Sequence, residues 1–396
     1  MNDPIVIVSA ARTPMGSFQG GFAGLSGPQL GAVAIKAAVE RAGIDANLVE
    51  EVLMGCVLPA GVGQAPVRQA ALLAGLPLSA GCAMVSKVCG SGMKATMIGH
   101  DGLLAGSNAI TVVGGMESMT NAPYLLPKAR GGFRLGHGQV IDHMFMDGLE
   151  DAYSKETRGR LMGTFAEDCA GSYGFSREAQ DEFAVRSTTR AKEASDNGSF
   201  AWEIAPVTVA GRKGDVVIDK DEGPFAVNVE KIPTLKPAFK KDGTVTAANS
   251  SSISDGAAAM VLMRASKAAE LGLKPIARIV GHTTNAGTPA LFPSAPVGAM
   301  QKLLAKTGWS VDSVDLWEIN EAFAVVTMAA LHDLKLDPAK VNVHGGACAL
   351  GHPIGASGAR IVVTLLGALK KYGKQRGIAS LCIGGGEATA LAVEML

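Results

Sequence analysis

The first and last thirds of the chain carry the same four landmarks in the same order. Each third begins with a short apolar strand, continues through a helix and a valine-rich strand, and then has a Ser-Gly dipeptide that opens a second, apolar helix. A glycine-containing strand completes each series. The matching segments are 5–8 and 276–280, 30–54 and 297–319, 91–105 and 357–367, and 111–117 and 381–387.

This repeat predicts a duplicated fold. Because strands and helices alternate within each half, we expect α/β layers with mostly parallel sheets covered by helices. A duplicated half usually packs against its copy about a pseudo-twofold axis. The N-termini of the two apolar helices, at Cys89 and near Gly355, should therefore meet at the centre of the molecule.

A different kind of segment separates the halves. Residues 120–245 are richer in charged and turn residues, and an amphipathic helix there should begin at a Ser176 cap and end near Gly198. The last strand of the first half should return at 257–263. The predicted domains are an N-terminal half formed by 1–119 and 246–273, an inserted lobe at 120–245, and a C-terminal half at 274–396.

Cys89 lies in the run Val88-Cys89-Gly90-Ser91-Gly92, at the start of a helix that is apolar almost all round. A thiol there meets unpaired N–H groups and the positive end of a helix dipole. We therefore expect the pKa of Cys89 to fall from about 8.5 toward roughly 3.5–7.5, as in a nucleophilic cysteine. The alternative is an inert cysteine buried in the core.

The second half departs from the repeat at the same point. Gly355 stands where the first half has Cys89, and His352 lies three residues earlier. Cys382 stands where the first half has Val112, just before three glycines whose N–H groups are open to a ligand. If the helix N-termini meet, these residues converge on one site, although each of them alone is also typical of a buried core.

Composition excludes several classes of function. Lys plus Arg and Asp plus Glu both number 36, so there is no bulk charge for binding nucleic acid or an anionic membrane. No apolar run reaches the eighteen or so residues of a membrane span, and the N-terminus lacks the features of a signal peptide. The six cysteines show no CxxC pair and no zinc spacing. We expect a cytoplasmic protein with no metal site, whose partners are small molecules or copies of itself.

Four blocks of sequence together resemble the thiolase family, and the resemblance extends over the whole chain. It implies a duplicated, five-layered αβαβα fold with two mixed sheets around buried helices, an inserted loop lobe and a homotetrameric assembly. Segments 9–14 and 255–258 also resemble the family. The four blocks are Val88-Cys89-Gly90-Ser91-Gly92, Asn320-Glu321-Ala322-Phe323, Gly351-His352-Pro353-Ile354-Gly355 and Cys382-Ile383-Gly384-Gly385-Gly386.

The resemblance assigns a role to each residue of the catalytic group. Cys89 accepts the acyl group, and His352 is the base that activates it. Cys382 carries the second proton, to or from the α-carbon of the other thioester. Asn320 fixes a water that stabilises one oxyanion together with His352 Nε2. The backbone N–H groups of Cys89 and Gly384 stabilise the other oxyanion.

Coenzyme A thioesters are the substrates that the family implies, with no other cofactor. The lobe segment 235–239 is expected to form an apolar wall, and Ser251 to lie near the pantetheine. For Phe239 and Met162 the alternative is ordinary core packing. The residues assigned to substrate binding are Ser251, Met162, Leu235, Phe239, Ala322 and Phe323.

Several positions depart from the family pattern. Leu161 stands where acetoacetyl-specific members commonly have histidine, and Glu387 follows the glycine triplet where many relatives have methionine. Segment 249–254 is unusually rich in serine, and 230–233 lacks the usual basic pattern. Acyl length and phosphate recognition therefore stay open. Lys231 and Lys236 are either phosphate contacts or solvated surface charges.

The reaction implied is the reversible Claisen condensation of two acetyl-CoA molecules to acetoacetyl-CoA and CoA, by ping-pong transfer through an acyl-cysteine. A 3-ketoacyl-CoA thiolase of broader or longer chain length in β-oxidation is the nearest alternative. A non-catalytic acyl-CoA-binding protein would be expected to lose Cys89, His352 or Cys382, and all three are present. Decarboxylative condensation, as in ketoacyl synthases, uses two histidines or a His-Asn pair where this chain has Cys382.

Overall fold

Strands from both halves join one large mixed sheet. The computed structural model describes residues 3–396, and elements are numbered within that range. The strands are β1 (Ile5–Arg12), β2 (Gly16–Ser17), β3 (Glu51–Gly55), β4 (Gly81–Val85), β5 (Ile110–Ser118), β6 (Tyr124–Leu125), β7 (Ile141–Asp142), β8 (Val207–Val209), β9 (Val216–Ile218), β10 (Ser254–Arg264), β11 (Ala277–Ala286), β12 (Leu316–Ile319), β13 (Arg376–Ile383) and β14 (Glu387–Met395).

Helices cover and separate these strands. In residues 3–396, none of them is both long enough and apolar enough to cross a membrane. The α-helices are α1 (Gly27–Ala42), α2 (Pro66–Leu73), α3 (Ser91–Ala105), α4 (Met162–Tyr173), α5 (Arg177–Asp196), α6 (Gly223–Ala226), α7 (Ala265–Glu270), α8 (Ala295–Thr307), α9 (Ala324–Leu334), α10 (Ala347–Leu350) and α11 (Ser357–Tyr372).

The strand order is β12-β13-β14-β11-β1-β10-β5-β3-β4, with β2 beside β10. The two halves meet at β1 and β11, which share only the pairs Val6 with Arg278 and Ile7 with Ala277. Only β3 with β4, β3 with β5, and β12 with β13 are parallel. The expectation of mostly parallel sheets is therefore wrong, whereas the mixed sheets implied by the family resemblance are confirmed.

The reason for the error is local. Strand β14 follows β13 after only three residues, Gly384 to Gly386, so no crossover helix separates the two strands. A tight connection can only join antiparallel neighbours, whereas parallel ones need a crossover of a dozen or more residues. Strand β10 is also antiparallel to both of its long neighbours, β1 and β5.

The internal repeat is confirmed element by element. Strands β1, β3 and β5 correspond to β11, β12 and β13, and helices α1 and α3 correspond to α8 and α11. Strand β10 plays the part of β14, but the inserted lobe precedes it in the chain. Its bounds, Ser254–Arg264, include the predicted returning strand at 257–263.

The buried apolar faces of the helices show that helices and strands stack in five layers. Helix α1 buries Leu30 and Ile35 against the strands of the first half, and α8 buries Met300 and Leu303 against those of the second. Helices α3 and α11 lie between, in a core to which both halves contribute strands. Helix α11 is buried over most of its surface, from Ser357 to Leu369, as expected for a helix enclosed by strands of both halves.

The two central helices touch at their N-termini, as the repeat predicts. A Cβ atom added at Gly92 would lie 2.8 Å from the backbone nitrogen of Ala359. One added at Gly358 would overlap the backbone nitrogen of Met93. Glycine is therefore required at both positions, because only a hydrogen atom fits between the two backbones.

The inserted segment runs from the end of β5 at Ser118 to the start of β10 at Ser254. Its longest helix, α5, begins after Ser176, whose hydroxyl accepts from the N–H of Ala179, and the chain turns at Gly198 with φ 74°. The predicted cap and end of this helix are confirmed. The domain boundaries at 119, 245 and 273 stay predictions.

We expect Gly358→Ala to destabilise the protein by about 1–3 kcal/mol or more, because its methyl group must push α3 and α11 apart. Gly102→Ala, in the same α3, is the matched control, since no atom lies within 4 Å of its added Cβ. That change should stabilise by about 0.5–1 kcal/mol through helix propensity. If Gly358→Ala and Gly102→Ala changed the melting temperature in the same direction and by similar amounts, this account of the helix contact would be contradicted.

Candidate active site

A strained turn holds Cys89 immediately before α3. Val88 has φ 45°, a left-handed conformation that is unfavourable for a β-branched residue. The hydroxyl of Ser91 secures the turn, because it accepts from the N–H of Lys87 at 2.8 Å and donates to the carbonyl of Val88 at 2.7 Å. The thiol is thereby held at the N-terminus of the helix, as the sequence predicts.

The pKa of this thiol is not lowered in the free protein. Burial raises the pKa of Cys89 to about 11, even though the N–H groups of Gly384 and of Cys89 itself favour the thiolate. The loss of hydration therefore outweighs the helix dipole and the two donors. The expectation of a lowered pKa is wrong for this state, and at pH 7 the thiol is protonated.

His352 is oriented to accept a proton. Its Nδ1 lies 2.5 Å from the hydroxyl oxygen of Ser357, and that hydroxyl donates in turn to the carbonyl of Pro353 at 2.9 Å. Because the hydroxyl proton is used there, its oxygen must accept from Nδ1–H, which leaves the lone pair on Nε2. Burial, with the nearby positive charge of Arg360, lowers the pKa of His352 to about 3, so the ring is neutral.

Asn320 is fully buried at the end of β12, and its side chain is oriented by a cation. Its Oδ1 accepts from Nη2 of Arg360 at 3.4 Å, which turns Nδ2 the other way. Within residues 3–396, neither Asn320 Nδ2 nor His352 Nε2 has a hydrogen-bond partner. Buried polar atoms are seldom left unpaired, so these two atoms mark where a water or a substrate oxygen belongs.

The fourth block places a second sulfur nearby. Cys382 is fully buried on β13, and burial together with the Cys89 thiol raises its pKa well above the ordinary value. The glycine turn follows directly, with φ 95° at Gly385 and 81° at Gly386. A Cβ added at Gly384 would lie 3.4 Å from Met162 Sδ, so this backbone borders the space in front of Cys89.

A cavity of about 350 Å³ opens in front of the thiol. Its walls are mainly apolar and come from both halves and from the inserted lobe, including a π-helical turn at Phe145–Leu149. Asn320, Cys382 and Leu235 are not among the residues that line it; the first two are fully buried, with Cys382 in the same apolar cluster as the lining residue Phe323, and Leu235 is a half-buried residue of the lobe. The predicted residues that do line it are Cys89, His352, Gly384, Ser251, Met162, Phe239, Ala322 and Phe323.

Two residues of the inserted segment between β5 and β10 are tied to the Asn320 block by direct contacts. The ring of Phe239 meets that of Phe323 edge to face, with centroids 6.0 Å apart. The N–H of Ser251 donates to the carbonyl of Ala322 at 3.0 Å. The lobe is therefore fixed to the second half at the cavity wall, and one face of each of these residues still borders the cavity.

Two carboxylates that sequence reasoning gave no role hold the site together across the halves. Glu117, at the end of β5, accepts from the N–H of Gly355 at 2.9 Å and from that of Val57 at 2.8 Å. Its repeat counterpart, Glu387, pairs with Lys87, two residues before the thiol. Their matching places in the repeat were the available signal, but their partners in the opposite half lie more than 200 residues away in sequence.

This arrangement suits acyl transfer through a cysteine. A thiol lies in a mainly apolar cavity near a neutral imidazole with a free lone pair, and N–H groups point at the sulfur. Complete ionisation of an ordinary thiol would raise the rate at most about thirtyfold at pH 7, whereas one oxyanion donor contributes about a hundred- to a thousandfold. The fixed donors therefore matter more than thiolate formation in the resting protein.

The raised pKa of Cys89 has a measurable consequence. Since only the thiolate is alkylated, the rate of reaction with iodoacetamide should rise about tenfold per pH unit between pH 7 and 9 without reaching a plateau. Peptide mapping would assign the modification to Cys89. A plateau already present at neutral pH would indicate a preformed thiolate and would contradict the role given to burial.

Comparison with known proteins agrees with this geometry. Residues 5–266 match the family model "Thiolase, N-terminal domain", and residues 273–395 match "Thiolase, C-terminal domain". An acetyl-CoA acetyltransferase of Cupriavidus necator is 50% identical over 392 residues, which cover 98% of this chain and 99% of the relative.

Solved structures agree over the same length. The acetyl-CoA acetyltransferase of Bacillus anthracis superposes with a TM-score of 0.96 at 42% identity, covering 100% of this chain and 99% of the other. The Acat5 thiolase of Ascaris suum, solved in complex with coenzyme A, gives a TM-score of 0.93 at 43% identity, covering 99% and 100%. This chain belongs to the thiolase family.

Proposed function

We propose that the protein is an acetyl-CoA C-acetyltransferase, which condenses two acetyl-CoA molecules to acetoacetyl-CoA and CoA and also catalyses the reverse reaction. One observation carries the proposal: Cys89 and the unpaired Nε2 of His352 border the same mainly apolar cavity. Relatives about 50% identical over the full length, named as acetyl-CoA acetyltransferases, support this substrate.

The first half-reaction forms an acetyl-cysteine. Cys89 Sγ attacks the thioester carbonyl of acetyl-CoA, while His352 Nε2 takes the thiol proton. The N–H groups of Cys89 and Gly384 stabilise the oxyanion, and the C–S bond to CoA then breaks. Cys382, a neutral thiol in the free protein, donates its proton to the departing CoA thiolate. The products are acetyl-Cys89, CoA, protonated His352 and the Cys382 thiolate.

The second half-reaction begins with protonated His352 and the Cys382 thiolate. The Cys382 thiolate removes a proton from the α-carbon of a second acetyl-CoA. A water held by Asn320 Nδ2, together with His352 Nε2–H, stabilises the enolate oxygen. The enolate carbon attacks acetyl-Cys89, the C–S bond breaks, and the Cys89 sulfur recovers its proton from His352. Acetoacetyl-CoA forms, and every protein group returns to its starting state.

The lobe offers a place for the anionic end of CoA. Lys236, Lys240 and Lys241 surround a surface depression of about 480 Å³ that shares Ala238 and Phe239 with the cavity. We assign the phosphates of CoA to this depression and the pantetheine to the Phe239 wall. Lys231 is exposed and does not line the depression, so we assign the phosphate contacts to the lysines of the depression rather than to Lys231.

Chain length distinguishes the proposal from a 3-ketoacyl-CoA thiolase of broader or longer chain length. We expect kcat/KM for CoA-dependent cleavage to be at least about tenfold higher for acetoacetyl-CoA than for 3-oxooctanoyl-CoA, because each misplaced methylene changes binding by about 1–3 kcal/mol. The measurement is a spectrophotometric thiolysis assay with both esters. A preference for the longer ester would assign the enzyme to the alternative class.

Replacing Cys382 separates the two half-reactions. Cys382→Ser should still form acetyl-Cys89, seen as a mass increase of about 42 Da after mixing with acetyl-CoA, since CoA thiolate can leave unprotonated. Condensation should fall about a hundred- to ten thousandfold, because the α-proton has no base.

Cys169→Ser is the matched control, since Cys169 belongs to the same apolar cluster as Cys382 but lies on α4 and has no proposed role in the reaction. It should keep its turnover. Equal losses of condensation activity in the two variants would indicate general damage to the cluster rather than a lost base.

The two other classes of function have their own signatures. Absence of the adduct from wild-type protein with intact thiols would favour the acyl-CoA-binding alternative. Turnover of a malonyl thioester with loss of CO₂ would favour decarboxylative condensation.

The assembly and location stay predictions. A homotetramer fits the edge strand β4, which has a free side and exposes Met84, and the neighbouring Ile98 and Leu104 of α3, which are 40% and 46% exposed. Unpaired edge strands with apolar residues are commonly covered by another chain. We also place the protein in the cytoplasm, with CoA and acyl-CoA as its small-molecule partners and no nucleic-acid or membrane partner.

A further inference from the structure

Three side chains with metal-binding atoms converge well away from the cavity. His100 and Asp101 lie on α3, and His282 lies on β11 of the other half. Asp101 Oδ1 is 3.0 Å from His100 Nδ1 and 2.9 Å from His282 Nε2, and the two ring nitrogens are 3.3 Å apart. The predicted absence of a metal site rests on cysteine spacing, which carries no information about these histidines.

The three ligand atoms are spaced like neighbouring ligands of a single metal ion. Zn²⁺ binds nitrogen and carboxylate oxygen at about 2.0–2.2 Å, so its ligand atoms are about 2.9–3.4 Å apart in octahedral and tetrahedral complexes. The three observed separations fall in that range. A point about 2 Å from all three atoms lies about 1 Å to one side of their plane, so the three atoms can lie at metal–ligand distance from a single ion.

The environment favours binding from solvent. Both imidazoles are 11% exposed, while the Asp101 side chain is 59% exposed and leaves one side open for water. Lys306 donates to the backbone carbonyl of His282 at 3.1 Å.

We propose that His100, Asp101 and His282 bind one divalent transition-metal ion, with water completing its coordination. Two imidazoles and one carboxylate suit Zn²⁺ and its neighbours in the transition series, whereas Mg²⁺ and Ca²⁺ prefer oxygen ligands alone. The ion cross-links α3 of the first half to β11 of the second. This inference goes beyond the proposed function and does not depend on it.

The distance along α3 indicates a structural role. His100 is nine residues beyond Ser91, the first residue of the helix, which places it about 14 Å along the axis from the end that carries Cys89. The ion therefore cannot touch the thioester. Its effect is to strengthen the packing of a central helix whose other end positions the nucleophile.

The test is metal binding by full-length protein stripped with EDTA. After equilibration with Zn²⁺, elemental analysis should find one tightly bound ion per chain. With Co²⁺ the protein should show visible d–d bands without a sulfur-to-cobalt charge-transfer band, because no cysteine is a ligand. Saturation with Zn²⁺ at about a hundred times its Kd should raise Tm by about 2–4 °C, provided that the ion binds only the folded state.

At the same Zn²⁺ concentration, Asp101→Asn and His282→Ala should each weaken Zn²⁺ binding at least about tenfold and so remove at least about half of the rise in Tm. His332→Ala is the matched control, because His332 and Asp333 form a similar neighbouring pair on α9, 2.8 Å apart. It should bind like wild type. If the protein bound no stoichiometric Zn²⁺, the three side chains would form hydrogen bonds with one another and no metal site. If the Co²⁺ protein showed a thiolate-to-cobalt band, or if both variants still bound Zn²⁺ like wild type, the ion would lie elsewhere in the protein. Either result overturns the proposal.

Discussion

The close contact between the N-termini of the two central helices is the constraint on which the site depends. Gly92 and Gly358 let the backbones meet, and that contact brings the turn of Cys89 to the loop of His352. A carboxylate from each half then reaches across: Glu117 holds the N–H of Gly355, and Glu387 pairs with Lys87. The nucleophile and its base are therefore fixed relative to each other by the interface between the halves, not by either half alone.

Much of this could be predicted because the repeat reports on packing as well as on local structure. Matching Ser91-Gly92 to Ser357-Gly358 was enough to place the helix ends together, and the departures from the match led to His352 and Cys382. The direction of β14 could not be predicted from alternating elements, since it depends on a three-residue turn. The position of Leu235 outside the cavity wall depends on how the lobe folds back, for which the sequence carries no periodic signal.

The thiol pKa was mispredicted for a different reason. The N–H donors at the helix start were identified correctly, but their effect competes with dehydration, which depends on the complete tertiary structure. Burial raises the pKa of Cys89 and lowers that of His352 to about 3, so the resting pair carries no charge. Charge appears only when the substrate carbonyl is attacked, at the moment when the fixed donors can stabilise it.

Gly355 shows that the two halves are no longer interchangeable. A Cβ at this position would lie 2.5 Å from Glu117 Oε2 and 2.8 Å from the Cα of Cys56, so no other amino acid fits. The volume that a side chain would take at this position is occupied by the Glu117 carboxylate of the first half, which accepts from the N–H of Gly355. A second nucleophile here would displace that carboxylate, so the duplicated molecule divides the labour between unequal halves and has one reactive centre for the pair.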